Sequence, residues 1–106
     1  MFSETAADAK GCKMIYVVLF KDNPDAPSDL RRRHMAAHLK FLQANPQIKA
    51  AGPLAEAGNP AGGLWLVEAD DARDIETLIR RDPFWPSGLR ATHRILAWNR
   101  VHQGAA

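Results

Sequence analysis

Met14-Ile-Tyr-Val-Val-Leu-Phe20 is the stretch on which the fold turns. It carries no charge and is rich in β-branched and aromatic residues, so it reads as a strand buried on both faces. As a helix it is far too short to cross a bilayer. Residues 21–27 follow as a loop with two prolines. Ser28 is then placed to cap a helix, with Asp29 in its favourable first turn. The helix runs from Asp29 to about Ala44, where Asn45-Pro46 ends it.

The rest of the chain arranges itself around that strand. Ile48 to Leu54, with Ala51-Gly52-Pro53 inside it, predicts a short second strand, and residues 57–63 a turn rich in Gly, Asn and Pro. Leu64-Trp-Leu-Val-Glu68 predicts a third strand. Asp70 or Asp71 caps a second helix ending near Arg81, with Ile75, Leu78 and Ile79 as its apolar stripe. Asp82-Pro83 stops it, Pro86-Ser87-Gly88 is a loop, and Thr92 to Val101 is the last strand. This order, βαββαβ, is that of a ferredoxin-like α+β domain: a four-stranded antiparallel sheet with both helices on one face. The other face needs a cover, and exposed apolar patches usually mark an interface. A face-to-face homodimer, or a higher oligomer built from it, is the economical expectation.

The chain has 106 residues, 46% apolar and 25% charged, with a net charge of +2. That is the size of one domain and an ordinary globular composition. Residues 1–12 read as a flexible N-terminal extension and 13–103 as the folded domain. Apart from Arg31-Arg32-Arg33 there is no basic block, so nucleic acid is not expected as a partner. The lone Cys12 excludes a disulfide within the chain, and a reactive role for it is not expected. With no secretory pattern and no membrane span, the expected location is the cytoplasm.

On a helical wheel, Leu30, Met35, Leu39, Phe41 and Leu42 share one arc, and Arg32, Arg33, Lys40 and Gln43 the opposite one. Arg31, His34 and His38 fall within the apolar arc. A buried polar group without a partner costs about 1–3 kcal/mol, so these three should have partners or line a cavity. Two histidines four residues apart can also ligate a metal, with Asp82 or His102 as a third ligand. No cysteine cluster or HExxH pattern supports this, and no metal or organic cofactor is expected. Asp82, at the end of the second helix, opposes the helix dipole. It is either a surface turn residue or the partner of a histidine, fixing one ring nitrogen and leaving the other as a base. Phe84 and Trp85 either wall an apolar pocket or plug the core.

Five features in order resemble the YciI-like (YCII-related) family: the opening strand, Arg31…His38-Leu39, Ala51-Gly52-Pro53-Leu54, the strand ending in Glu68, and Asp82-Pro83-Phe84 followed by Gly88-Leu89. The closing Ile95-Leu-Ala-Trp98 also fits. The resemblance spans Met14 to Asn99. It implies a dimeric α+β barrel and an active site built from His38 and Asp82. It also implies kinship with enzymes that eliminate chloride from chloroaromatics, and more widely with muconolactone isomerases and cofactor-free monooxygenases. Family sequences often carry Arg three residues before the histidine; here Met35 stands there.

These readings converge on proton-transfer chemistry, an elimination or isomerisation of a small oxygenated ring compound. His38 would be general base or acid, a histidine's ordinary pKa of about 6.5 suiting neutral pH. Asp82 would orient it, Arg31 and His34 would bind a substrate oxygen, and Phe84 and Trp85 would flank a ring. The alternative is a small-ligand binding or accessory module in which His38 and Asp82 form a structural pair. On these readings, alanine at either position lowers the melting temperature only if the pair is structural.

Overall fold

The structure, a computed structural model, describes residues 14–102 and 104; the expectations for residues 1–12 and Cys12 lie outside them. Seven elements follow in order: β1 (Met14–Asp22), α1 (Leu30–Ala44), β2 (Ile48–Glu56), β3 (Asn59–Ala69), α2 (Ala72–Arg81), the short α3 (Phe84–Ser87) and β4 (Arg90–Trp98). The four strands form one antiparallel sheet in the order β2-β3-β1-β4. The ferredoxin-like reading therefore holds.

Side chains along a strand alternate between its two faces. Tyr16, Val18 and Phe20 of β1 join Trp65, Val67 and Ala69 of β3 in the core, under Ile75, Leu78 and Ile79 of α2 and Phe41 and Leu42 of α1. Ile15, Val17 and Leu19 point the other way and are only half-buried. So β1 is buried on one face within a single chain, where the apolar run predicted two. The outer face is a shallow apolar depression formed by Val17, Leu64, Leu66, Leu96, Ala97 and Trp98.

Several boundaries differ from the sequence reading. Residues 57–63 are not one turn: β2 and β3 pair out to Glu56 and Asn59, leaving a two-residue connection, Ala57-Gly58. Both residues have positive φ, 51° and 83°. That is the hairpin geometry whose twist matches the flanking strands, and glycine at its second position adopts it without strain. Gly62, further along β3, has φ 116°, and a Cβ there would meet the Phe20 carbonyl oxygen at 1.9 Å. Glycine is what lets β3 approach β1 this closely beside Phe20. At α1 the cap position is Asp29, not Ser28, and its side chain caps nothing. It pairs instead with Arg33 at 3.4 Å. At α2 it is Asp71 that caps, accepting from the Asp74 N–H at 3.1 Å. Residues 84–87 form a helical turn that takes in Pro86 and Ser87 of the expected 86–88 loop, and β4 begins earlier, at Arg90, and ends earlier, at Trp98.

One irregularity positions the site. β1 and β4 run in register until a shift between Lys21 and Asp22 sets Asp22 opposite Arg90. A bulge of this kind re-aims side chains at the end of a strand.

Candidate active site

α1 presents His38 toward α3, and the proline after Asp82 ends α2 by forcing that residue into an extended conformation, φ −67° and ψ 130°. The Asp82 carboxylate is thereby turned inward and is fully buried. It is bonded on both oxygens. Oδ1 lies 2.8 Å from His38 Nδ1 and accepts the Phe84 N–H at 3.0 Å. Oδ2 accepts from Arg90 Nη1 at 2.7 Å. His38, itself only 7% exposed, stacks on the Phe84 ring with centroids 4.1 Å apart and planes 22° apart.

The sites named from sequence separate into two groups. His38, Arg31 and Phe84 line a cavity of about 120 Å³ together with Phe20, Trp65 and Arg90. Arg31 is held by Asp22 at 2.7 Å. Phe84, 1% exposed, both lines the cavity and belongs to a small core cluster with Leu30 and Leu89. Asp82 stands behind His38 and does not line the cavity. Trp85 and His34 do not line it either. Trp85 is exposed, with its ring against His93 and the Arg80 guanidinium over it. His34 is half-buried and makes no hydrogen bond or ion pair with a described residue. His102 is exposed, and the described residues contain no cluster of three or more potential metal ligands.

Sequence reasoning missed Arg90 and Asp22. Arg90 lies eight residues after Asp82 and directly after the Gly88-Leu89 pair of the family features. That spacing was visible, but nothing local says that its side chain folds back. In the structure its guanidinium lies 3.7 Å from the Phe20 centroid and 5.3 Å from those of Trp65 and Phe84.

Electrostatics follow from these contacts. Burial alone would raise the Asp82 pKa; the hydrogen bond from His38, the charge of Arg90 and the Phe84 N–H outweigh it and hold the carboxyl below its ordinary value. Asp82 is therefore an acceptor only. The hydrogen on His38 Nδ1 is assigned from this bond, which leaves Nε2 with its lone pair when the ring is neutral. A neutral imidazole so oriented can take a proton, and the fixed carboxylate then stabilises the resulting cation.

A depressed carboxyl pKa also makes a pH prediction. Its stabilisation is complete above the unfolded-state value of about 3.9 and is lost as pH falls through the lower folded value. The melting temperature is expected to drop below about pH 4, and Asp82→Asn should flatten part of that acid limb. Superimposable acid profiles for the two proteins would contradict the assignment.

The YCII-related domain model matches residues 14–99, and the chain belongs to that family. Among curated proteins it is 33% identical over 60 residues to the uncharacterized protein YjpA of Bacillus subtilis (strain 168), covering 54% of this chain and 67% of that protein. Among solved structures it is similar to the 5-chloro-2-hydroxyhydroquinone dehydrochlorinase TftG of Burkholderia phenoliruptrix AC1100, in complex with 2,5-dihydroxybenzoquinone. The TM-score is 0.69 and the identity 27%, covering 81% of this chain and 94% of that one. A dimeric protein of unknown function from Bacteroides fragilis NCTC 9343 shares the ferredoxin-like fold, with TM-score 0.51 and 16% identity over 83% of this chain and 96% of that one.

Proposed function

We propose that this member of the YCII-related family is a cofactor-independent lyase that removes a halide and a proton from a small hydroxylated ring, with His38 as the proton-transfer group and Asp82 as its positioning residue. The observation that carries the reading is the His38 Nδ1–Asp82 Oδ1 pair at 2.8 Å, with His38 in the wall of a cavity lined by Phe20, Trp65 and Phe84. The likeness to a dehydrochlorinase at 27% identity supports the reaction class.

The chemistry balances without an electron acceptor. One ring hydroxyl loses its proton while the carbon bearing the halogen gains one, giving a ketone. Loss of a second hydroxyl proton then forms the second carbonyl, and the halide leaves with its bonding pair. The net loss is one proton and one halide. Each proton movement needs a group that both accepts and returns protons near neutral pH, which is the service an oriented imidazole provides.

The test is chloride release from 5-chloro-2-hydroxyhydroquinone under anaerobic conditions, followed with a chloride electrode. One equivalent per substrate consumed, at a rate proportional to protein, is expected. No release above the blank from this compound or from other chlorinated ring polyols would sink the proposal. The Asp82–Arg90 ion pair, buried at both side chains, favours a second reading, a binding module with a structural dyad. It would show ring-anion binding with no turnover.

A homodimer closed over the outer sheet face completes the proposal. Leu96 and Trp98 are 38% and 40% exposed there, beside Val17, Leu64 and Leu66. Sedimentation is expected to give twice the chain mass for the wild type. Leu96→Asp should give a single chain mass, because a buried unpaired charge opposes the contact. A monomeric wild type would remove this part of the reading.

A further inference from the structure

The least expected group in the cavity wall is the Arg90 guanidinium. Its side chain is 7% exposed. Of the five N–H donors an arginine carries, Nη1 bonds Asp82 Oδ2, and no other makes a hydrogen bond to a described residue. Phe20 lies 3.7 Å from it, and Trp65 and Phe84 both lie 5.3 Å away. Aromatic faces attract the cation but offer no acceptor in the plane of the guanidinium. Arg90 itself is one of the residues that line the cavity.

Charge balance points the same way. Asp22 pairs with Arg31, and Asp82 with Arg90. With His38 neutral, these four charges cancel. Once His38 takes a proton, the group carries one positive charge, and an anion in the cavity is the natural counter-charge. In a site walled by aromatic rings, fixed N–H donors act on such an anion more strongly than they would in water. Arg31 lies 5.7 Å from the same Phe84 ring as Arg90, and its charge acts on Arg90. Two cations therefore flank one aromatic surface on which His38 also stacks.

We propose that Arg90 is the anion-recognising residue of this cavity, and that its ligands are planar ring compounds carrying an ionised hydroxyl, held with that oxygen on the Arg90 N–H groups and the ring against the aromatic wall. The inference rests on the reading of this cavity as the substrate site and adds to it the charge state of the substrate. In the elimination above, Arg90 would hold the ring oxygen that has already lost its proton while His38 serves the protonation of the ring carbon. Arg90 has a positioning role as well, through Asp82, so the test must separate the two.

Two probes do so: 2,5-dihydroxybenzoquinone, ionised at neutral pH, and its 2,5-dimethoxy counterpart, the same ring with no ionisable hydroxyl. Both are titrated calorimetrically into the full chain and its variants. The wild type is expected to prefer the hydroxyquinone by about tenfold or more, the value of a charge-assisted hydrogen bond. Arg90→Gln should abolish the preference while leaving affinity for the dimethoxy compound nearly unchanged. Arg90→Lys, which keeps the charge but lacks the planar fork, should fall between.

Equal affinity of the wild type for the two probes overturns the inference. So does an Arg90→Gln protein, folded by circular dichroism, that keeps the preference or loses both affinities together. Should Arg90→Gln not fold, Arg90→Lys decides: a reduced preference supports the inference and an unchanged one overturns it. Halide release plays no part in these readouts. A chain that shows the preference but releases no chloride loses the proposed reaction and keeps this inference.

Discussion

Asp82→Ala is expected to destabilise the protein by about 3–5 kcal/mol, because it leaves the buried Arg90 guanidinium without its counter-charge. For a domain of this size that lowers the melting temperature by more than about 10 °C. It is a large share of the roughly 5–15 kcal/mol that holds a small domain together. The same change frees the Phe84 N–H and His38 Nδ1, both of which bond Asp82 Oδ1. Thermal melts with Arg90→Met and the double variant complete the cycle. The double variant should be less destabilised than the sum of the two single changes, since removing both partners leaves no orphaned charge. Strict additivity would show that the pair is not coupled as its 2.7 Å contact requires. A large thermal loss at Asp82 therefore does not argue against catalysis. On the proposed reading Asp82 both orients His38 and neutralises Arg90, and stability reports the second.

His38→Ala separates the duties. Asp82 keeps its bonds to Arg90 and the Phe84 N–H when His38 is removed. The expected thermal cost is accordingly smaller, about 1–3 kcal/mol from the broken hydrogen bond. The expected catalytic cost is far larger, a fall in chloride release of about 10²–10⁴, the usual contribution of a positioned acid–base group. The measurement is kcat on the chlorinated triol, with the melting temperature of the same preparation. Full activity in His38→Ala would end the proton-transfer reading. Proportionate loss of activity and folded fraction would assign His38 to the structure alone.

Much of the architecture was legible because local physics writes it into the chain. The β-branched and aromatic run of β1, the apolar arc of α1 and the stop at Asp82-Pro83 are consequences of backbone geometry and proline sterics. His38 stood out because a polar side chain on an apolar arc demands a partner, and Asp82 because a carboxylate at a helix C-terminus runs against the dipole. The family features put the two together, and the 2.8 Å contact is where the structure places them.

What the chain did not disclose depends on register. The Ala57-Gly58 hairpin was obscured by Pro60, Gly62 and Gly63, which read as turn residues although Gly62 serves the close approach of β3 to Phe20. Trp85, adjacent to Phe84, turns to the far side of the short helix and packs with His93 and Arg80, because successive helical residues point about 100° apart. Arg90 is the sharpest case. An arginine at the start of a strand is usually a solvated charge. Here the shift between Lys21 and Asp22 sets it opposite Asp22, and its side chain folds over Phe20 to reach Asp82. The sequence by itself determined the strands, the helices and the pairing candidates, since these follow from periodicities of a few residues. The tertiary structure alone decided which cation is buried against Asp82 and which aromatic rings face the cavity. Those contacts join segments whose separation is set by sheet register, a bulge and side-chain packing, and no local pattern records them.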